Sequence, residues 1–299
     1  RRVPYGVRFL TATIDVQGGK NRRFVVQVHG NGPNRETWVV DRFNIKEDRG
    51  PENDQEPRPI NPASHPEDWD LITRDVIHRT YKLADGSGRR MPILAVGVDT
   101  GGEGEGVESV TNQAYEWYRR LAKTGVQSRV YLLKGASSKT PNRVRKTWPD
   151  NTGRKSRKSS AKGDVPLYLL GTDLLKDAVA SMLDRNNPGM GYLHTPAWLG
   201  RWWYDELTYE VRDPKTGKWD KPGKKANEAF DLCVYNLALL ILLKVEKINW
   251  EHPPAWAEGW DSNMLIIQPD SDAPLVQAIE AAKAKQPRKR RARVIKPKL

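Results

Sequence analysis

The chain has 299 residues, enough for about two domains, and 37% of them are hydrophobic, including 11 tryptophans. This composition can build a buried core, but no apolar run approaches the roughly 18 residues that a membrane-spanning helix needs. The one cysteine, Cys233, excludes an internal disulfide and a cysteine zinc cluster, and it fits a reducing cytoplasm. The N-terminal residues lack the apolar core of a signal peptide, so the chain is expected to begin inside a longer protein.

The formal net charge of +13 is concentrated in two segments. Residues 139–162 contain nine lysines and arginines against one aspartate, and residues 281–299 contain nine with no acidic residue. The rest of the chain therefore carries a small net negative charge. This distribution predicts a polyanionic partner, most simply nucleic acid. A solvated loop and a disordered tail would give the same pattern, and the sequence leaves that alternative open.

Three strands open the predicted fold, at 8–17, 23–30 and 37–45. Short turns containing glycine and asparagine connect them, which predicts an antiparallel β-meander. The first strand has apolar side chains on both faces, as a central strand does, and it carries one carboxylate, Asp15. A buried ionised carboxylate needs a partner or a metal ion. Alternatively, Asp15 ends the strand and caps the turn at residues 18–19.

A parallel part of the sheet is predicted to follow the meander. A proline-rich loop at 46–66 leads to a helix at about 67–83, and an apolar strand at 93–98 precedes a second helix at about 105–124. Alternation of strand, helix and strand implies a parallel crossover. Asp99 ends the apolar strand, so two central strands would each carry an aspartate, side by side. Like charges at such short range cannot both stay ionised without a cation.

The next part of the chain supplies a basic loop and a helix start. Two more strands and a third helix are predicted, at 129–134, 165–170 and about 172–185. The loop 139–163 between the strands is basic and could track phosphates. Thr172 or Asp173 is expected to cap the third helix, which makes a cap the commoner role for Asp173. A β-hairpin is predicted at 200–222.

A long, largely apolar helix is predicted at about 227–243. Asp231 lies on an apolar face of this helix, and Asn227 and Glu228 lie one turn earlier on the same side. A carboxylate at such a place is either stabilised by the helix dipole or is a metal ligand. Residues 249–299 have a different character, with prolines and tryptophans first and a basic end, and we expect an appendage there.

Five short motifs occur in order along the chain. They are Thr-Ala-Thr-Ile-Asp15-Val-Gln, Val-Asp99-Thr-Gly-Gly, Leu-Lys134-Gly-Ala-Ser, Leu-Gly-Thr-Asp173 and Asn-Glu-Ala-Phe-Asp231-Leu-Cys-Val-Tyr. Together they resemble the nuclease domain of the large terminase subunit of lambda-like tailed bacteriophages, over roughly residues 4–245. The resemblance implies a ribonuclease H-like α/β domain at 1–248, whose mixed central sheet is flanked by helices. The appendage at 249–299, whose basic tail is expected to be disordered, has no secure counterpart in the family.

The resemblance implies an endonuclease that cuts double-stranded concatemeric viral DNA during genome packaging. Two Mg²⁺ or Mn²⁺ ions, about 4 Å apart, would activate a water and stabilise the leaving 3′ oxygen. Asp15 would bridge the two ions, and Asp99 and Asp231 would each bind one of them. A fourth ligand or a supporting group would come from one of three further side chains, namely Glu228, Asn227 and Asp173.

Phosphate binding is expected from nine basic residues. They are Lys134, Lys139, Arg143, Arg145, Lys146, Arg154, Lys155, Arg157 and Lys158. The resemblance also implies a terminase ATPase domain, which this chain lacks because it has no Gly-x-x-x-x-Gly-Lys followed by Ser or Thr. The remaining implied partners are duplex DNA, the small terminase subunit and the portal or procapsid, in the cytoplasm of the host cell.

Two other kinds of protein remain open at this stage. The three acids also suit another ribonuclease H-like enzyme, such as a transposase or a Holliday-junction resolvase. A module that binds DNA or docks on the portal without catalysis would carry the same acids as structural groups. Serine hydrolysis has no support, because the chain lacks Gly-x-Ser-x-Gly, and five scattered histidines with one cysteine do not form the pattern of a zinc site.

Overall fold

The computed structural model describes residues 1–50, 55–102, 104–105, 108–137, 140–149 and 163–269. The strands in chain order are β1 (Arg2–Val3), β2 (Phe9–Gln17), β3 (Arg23–Asn31), β4 (Thr37–Ile45), β5 (Glu47–Asp48), β6 (Arg58–Pro59), β7 (Thr80–Leu83), β8 (Arg90–Asp99), β9 (Gly104–Glu105), β10 (Glu108–Ser109), β11 (Val130–Gly135), β12 (Val144–Thr147), β13 (Leu167–Leu170), β14 (Leu193–His194), β15 (Val211–Arg212) and β16 (Trp219–Asp220). The α-helices are α1 (Asp70–Ile72), α2 (Val110–Ala122), α3 (Thr172–Leu183), α4 (Arg201–Leu207) and α5 (Glu228–Leu242).

One mixed sheet organises these elements, with the strand order β12-β13-β11-β8-β2-β3-β4-β14. β2, β3 and β4 pair antiparallel, as the meander predicts. On the other side of β2, the strands β8, β11 and β13 continue the sheet in parallel. The predicted mixed central sheet flanked by helices is therefore confirmed, and the arrangement is compatible with the ribonuclease H-like fold.

The central strand β2 has one apolar and one largely polar face, and both are buried. Alternate side chains enter the apolar cluster that contains α2, through Leu10, Ala12, Ile14 and Val16. Burying each aliphatic side chain of this size contributes about 1.5–3 kcal/mol, so this face provides much of the strand's stability. The opposite face lies under α5 and carries Thr11, Thr13 and Asp15. The sheet thus presents its polar stripe to the helix that bears Asp231.

The predicted helix at 67–83 is wrong in its second half. Helical turns end at Ile77, and β7 follows them. Tyr81 and Leu83 are buried while Lys82 between them is exposed, which is the two-residue period of a strand, and β7 pairs with β8. The predicted second helix also begins later than expected, at Val110, because the side chain of Ser109 accepts the backbone N–H of Asn112 and caps the helix.

Three expectations for the following region need correction. The basic loop at 139–163 contains an edge strand, β12, which pairs antiparallel with β13. The predicted hairpin at 200–222 begins instead as α4, where Trp203 and Leu207 are buried one turn apart, and only β15 and β16 pair. Gly171 is the N-cap of α3, and no side chain makes a capping hydrogen bond there, so neither Thr172 nor Asp173 is the cap.

The first part of the expected appendage packs against the body of the domain. Trp256, Ala257 and Leu265 share an apolar cluster with Phe9 of β2. The amide of Asn263 donates to the backbone oxygen of Arg8 at 2.7 Å, which ties this segment to the start of β2. Residues 270–299, with the predicted basic tail, lie outside the described residues. The division into domains at residue 248 therefore stays a prediction.

None of the helices in the described part of the chain has the length and apolar character that crossing a bilayer requires.

Candidate active site

Three aspartates meet at one end of the main sheet. Ile14 of β2 pairs with Val98 of β8 in parallel register, so Asp15 and Asp99 occupy the next, neighbouring positions. Asp231 lies in the first turn of α5, and this helix packs on β2 and β8. Each aspartate therefore comes from a different element, and the parallel pairing of β2 with β8 is what brings the first two together.

Burial and mutual repulsion shift the pKa values of these carboxyl groups upward. The pKa of Asp15 rises from 3.8 to about 8, first because burial disfavours the charged form and then because Asp99 and Asp231 are near. Burial likewise raises the pKa of Asp99 to about 7, although the backbone N–H of Gly101 stabilises its charged form. Burial also raises the pKa of Asp231, against the opposite effect of Lys176. Such a cluster has a strong electrostatic preference for a cation.

The donor atoms of this cluster fit hard divalent cations. Three carboxylates supply only oxygen, which is the ligand type that Mg²⁺ and Mn²⁺ prefer. The side-chain amide of Gln17 donates a hydrogen bond to Asp15, and the N–H of Gly101 donates to Asp99 at 3.1 Å. These two donors orient the carboxylates, as the outer hydrogen bonds of a metal site do. Asp15, Asp99 and Asp231 could therefore hold a divalent metal.

A tighter group of potential ligands occurs elsewhere but has another explanation. Among the described residues, His65, Glu67 and Asp68 form the group whose ligand atoms all lie within 4.8 Å of one another. The guanidinium of Arg58 donates to Asp68 at 2.5 Å and approaches His65 at 2.9 Å. The backbone N–H of Asn61 donates to the second oxygen of Asp68 at 2.5 Å. A side-chain cation and a backbone donor thus already satisfy the buried carboxylate of Asp68. We interpret these contacts as stabilising the loop and not as forming a metal site.

Two charged residues that the sequence analysis missed complete the acidic cleft. The ammonium of Lys176, on α3, lies 2.7 and 2.5 Å from the two oxygens of Glu210 and 3.3 Å from Asp231. Asn227 donates to Glu210 at 2.5 Å and to Asp231 at 2.7 Å. The position of Lys176 could have predicted this network. Lys176 lies between Leu175 and Val179 in the buried part of α3, where a lysine without an acidic partner would be costly. This network orients Asp231.

Replacing Lys176 with methionine is expected to destabilise the domain by about 3–5 kcal/mol, because Glu210 would stay buried without its cation. Chemical denaturation of the parent and the variant measures this difference. Adding Glu210→Gln to Lys176→Met removes the stranded charge, so the double variant should recover part of the loss. Equal stability of Lys176→Met and the parent would contradict this account of the ion pair.

The three candidates for a fourth ligand have different surroundings. Glu228 pairs with Arg23 at 2.7 Å, and its Oε2 is buried without a hydrogen-bond partner among the described residues. Its charge also contributes to the raised pKa of Asp15, which places it near the cluster. Asp173 instead accepts the backbone N–H of Trp219 at 3.0 Å and lines a neighbouring cleft. Glu228 thus has a buried oxygen without a partner among the described residues, and Asn227 already bridges two carboxylates.

The predicted phosphate-binding residues divide into three groups. Lys134, at the end of β11, lines the same cleft as Asp99 and Asp231. A second group of three lies on or beside the edge strand β12 and is exposed, namely Arg143, Arg145 and Lys146. The others lie outside the described residues, namely Lys139, Arg154, Lys155, Arg157 and Lys158. The described basic residues thus include one in the cleft and three at the edge of the sheet.

Comparison with known proteins identifies the family of this chain. The family model described as "Terminase large subunit gpA, endonuclease domain" matches residues 1–250. The chain is 28% identical over 251 residues to the terminase large subunit of Escherichia phage lambda, an alignment that covers 80% of this chain and 33% of the phage protein. The chain thus spans about a third of the length of this curated relative, and no solved structure matches it significantly. The chain belongs to the family of terminase large subunit endonuclease domains.

Proposed function

We propose that this chain is a metal-dependent endonuclease that cuts double-stranded concatemeric viral DNA during genome packaging by two-metal phosphodiester hydrolysis. The observation that carries the proposal is the meeting of Asp15, Asp99 and Asp231 at one end of the sheet, with raised pKa values for all three. A purely structural cluster of this kind would be unfavourable, because buried like charges repel. A bound cation would offset the repulsion between the three carboxylates and make the same arrangement favourable.

The residues of this chain would hold two divalent ions and keep their ligands in place. Asp15 would bind both ions, while Asp99 and Asp231 would each bind one. When bound, the ions would activate a water molecule and stabilise the charge on the leaving 3′ oxygen. Gln17 holds Asp15 by a hydrogen bond, and the Lys176 ammonium lies against Asp231. Burial excludes water from Asp15 and strengthens its attraction for a cation.

DNA would reach this centre along a positively charged path. Lys134 lies in the cleft, where its charge also stabilises ionised Asp99. The exposed Arg143 and Arg145 extend the positive charge to the edge strand β12. Lysine and arginine contacts to phosphates release counterions and give affinity without reading sequence. These described residues therefore support binding to DNA of any sequence.

Replacing Arg145 with alanine is expected to weaken DNA binding and to reduce the slope of log affinity against log salt by about 1, because one phosphate contact is lost. Fluorescence anisotropy of a labelled duplex at several salt concentrations measures the slope. The exposed Lys247, beyond the far end of α5, provides the matched control, and Lys247→Ala should keep the parent slope. Equal slopes for Arg145→Ala and the parent would show that Arg145 does not contact a DNA phosphate.

The partners of the whole terminase large subunit are part of the proposal. We propose a terminase ATPase domain as one partner of this chain. We propose the small terminase subunit and the portal or procapsid as further partners, in the cytoplasm of the infected host cell. These follow from the family and not from any contact in the described residues.

The choice of DNA substrate tests the proposal. Plasmid DNA and a four-way junction are incubated with the chain in Mn²⁺, Mg²⁺ or EDTA, and the products are separated on a gel. The proposal predicts nicking and linearisation of the plasmid with either metal and none with EDTA. Cutting of the junction alone would identify a resolvase, and strand joining would identify a transposase. Binding of duplex without cutting in any metal would favour a non-catalytic docking module.

A further inference from the structure

The apolar packing of helix α5, which carries Asp231, does not by itself fix the position of the helix on the sheet. Most of its residues are buried, and they are mainly leucine, alanine, valine and phenylalanine. Apolar burial is non-directional, and cores of suitable volume tolerate alternative packings. A slide or rotation of α5 by one residue would exchange one apolar contact for another. Such a shift would nevertheless move Asp231 relative to Asp15 and Asp99.

A closed ring of three polar side chains lies between α5 and the sheet. The hydroxyl of Thr11 donates to Asn236 Oδ1 at 2.6 Å, and Asn31 Nδ2 donates to that hydroxyl at 2.9 Å. The ring closes where Asn236 Nδ2 donates to Asn31 Oδ1 at 3.1 Å. All three residues are at most 4% exposed. Each hydrogen bond is directional, so the ring forms in a single relative position of β2, β3 and α5.

A second polar contact lies between this ring and the aspartates. The amide of Gln27, on β3, donates to Cys233 Sγ at 3.6 Å and accepts the indole N–H of Trp203 at 2.8 Å. Gln27 pairs with Thr13 of β2 in the antiparallel register. We call Thr11, Asn31, Asn236, Gln27 and Cys233 the polar seam.

The order of contacts along β2 and α5 relates the polar seam to the three aspartates. Along β2, alternate positions face α5 in the order Thr11, Thr13 and Asp15. Along α5 the order is reversed, because Asn236 contacts Thr11 and Asp231, about one and a half turns earlier on the helix, lies near Asp15. At 1.5 Å per residue, Asn236 lies about 7.5 Å along the helix axis from Asp231. Asn236 of the seam and Asp231 therefore lie on the same rigid helix, about one and a half turns apart.

We propose that the polar seam fixes the register of α5 on the sheet and thereby positions Asp231 for metal binding with Asp15 and Asp99. This inference rests on the proposed function of the site. A shift of α5 would leave the buried groups of Thr11, Asn31 and Asn236 without partners, which disfavours every register but one. A single buried asparagine specifies register in coiled coils by the same physical means. The seam residues are positioning residues and do not contact the metal.

The test replaces the whole ring with apolar side chains of similar shape, in the variant Thr11→Val/Asn31→Leu/Asn236→Leu. Because every partner is replaced together, no polar group is left unsatisfied, and thermal stability should stay close to that of the parent. Titration calorimetry with Mn²⁺ alone should show a half-saturating concentration about 10–100-fold higher than for the parent. Plasmid cutting at the parent's half-saturating Mn²⁺ should fall in parallel.

Two comparisons separate positioning from general stability. Leu240→Ala truncates a buried apolar residue of α5 outside the seam, so it should lower the melting temperature and keep the Mn²⁺ half-saturation of the parent. Thr11→Val should weaken Mn²⁺ binding. Thr11→Ser keeps the hydroxyl, so it should bind Mn²⁺ as tightly as the parent. This pair decides the question if the triple variant does not fold.

An unchanged Mn²⁺ half-saturation in the folded triple variant would overturn the proposal, and so would equal values for Thr11→Val and Thr11→Ser. A parent chain that neither binds Mn²⁺ nor cuts DNA would instead reject the proposed function of the site.

Discussion

The variant Asp15→Asn is expected to cut DNA at least about 10³-fold more slowly than the parent while keeping its fold. Asp15 is the most buried of the three aspartates and interacts electrostatically with both others. Asparagine keeps the size of the side chain and an acceptor for Gln17 but removes the charge that would bind both ions. Metal ions stabilise transition-state charge by several kcal/mol, which corresponds to three or more powers of ten in rate. Initial rates of plasmid nicking at fixed Mn²⁺ measure the loss.

A matched aspartate outside the site provides the control for this prediction. The side chain of Asp261 is 92% exposed and pairs with Arg89, in the segment that packs near the start of β2. Asp261→Asn should therefore cut at the rate of the parent. Circular dichroism of both variants checks that the fold is retained. If Asp15→Asn cut DNA at the rate of the parent, Asp15 would have no role in catalysis.

The same substitution is expected to stabilise the metal-free domain at pH 8, by up to a few kcal/mol. The pKa of Asp15 is raised from 3.8 to about 8 in the folded state, so the unfolded chain releases this proton first. The metal-free parent therefore loses stability as the pH rises from about 4 to about 8, since ionisation favours the unfolded state there. Asparagine cannot ionise, and this part of the pH dependence should disappear.

Melting curves in EDTA at pH 5 and pH 8 test this prediction for Asp15→Asn and the parent. The melting temperature of the parent should fall between the two pH values more steeply than that of the variant. Adding Mn²⁺ at pH 8 should raise the melting temperature of the parent and have a much smaller effect on the variant, because ligands that bind the native state stabilise it. A variant less stable than the parent at pH 8 in EDTA would contradict the account.

The pairing of Asp15 with Asp99 could be predicted because it follows from strand order alone. Both residues end apolar, β-branched runs, and a helical pattern between strands implies a parallel crossover. Neighbouring parallel strands then carry their last residues to the same edge. The structure has this pairing, with β8 beside β2. Asp231 was harder to place, because an apolar helix shows which face is buried but not how far along the sheet it lies.

The ion pair of Lys176 and Glu210 beside Asp231 could not be predicted for the same reason. Lys176 and Glu210 are far apart in sequence, and each alone looks like a solvated charge. They meet because α3 packs on α5 and the chain between α4 and β15 passes over both. Similarly, the hydroxyl of Thr11 and the amide of Asn236 gave no sign that they pair. Long-range polar contacts depend on tertiary packing that local patterns do not encode.

The misassigned β7 and the segment 249–269 show a related limit. The predicted helix extends to residue 83, but pairing with β1 and β8 makes a strand more favourable for Tyr81 and its neighbours. Trp256 and Leu265 occur singly in an irregular segment, so no periodicity marked them as core residues. The error at β7 arose where packing against distant strands outweighed the local pattern.

Equilibrium binding of Mn²⁺, measured by titration calorimetry, tests most directly whether the three aspartates form a metal site. The parent is expected to bind two ions per chain, and Asp99→Asn is expected to bind fewer or bind them much more weakly. The triple variant Asp15→Asn/Asp99→Asn/Asp231→Asn, if folded, should show no specific binding. Equal Mn²⁺ binding by the parent and the folded triple variant would contradict the account, because the cation would then be held elsewhere.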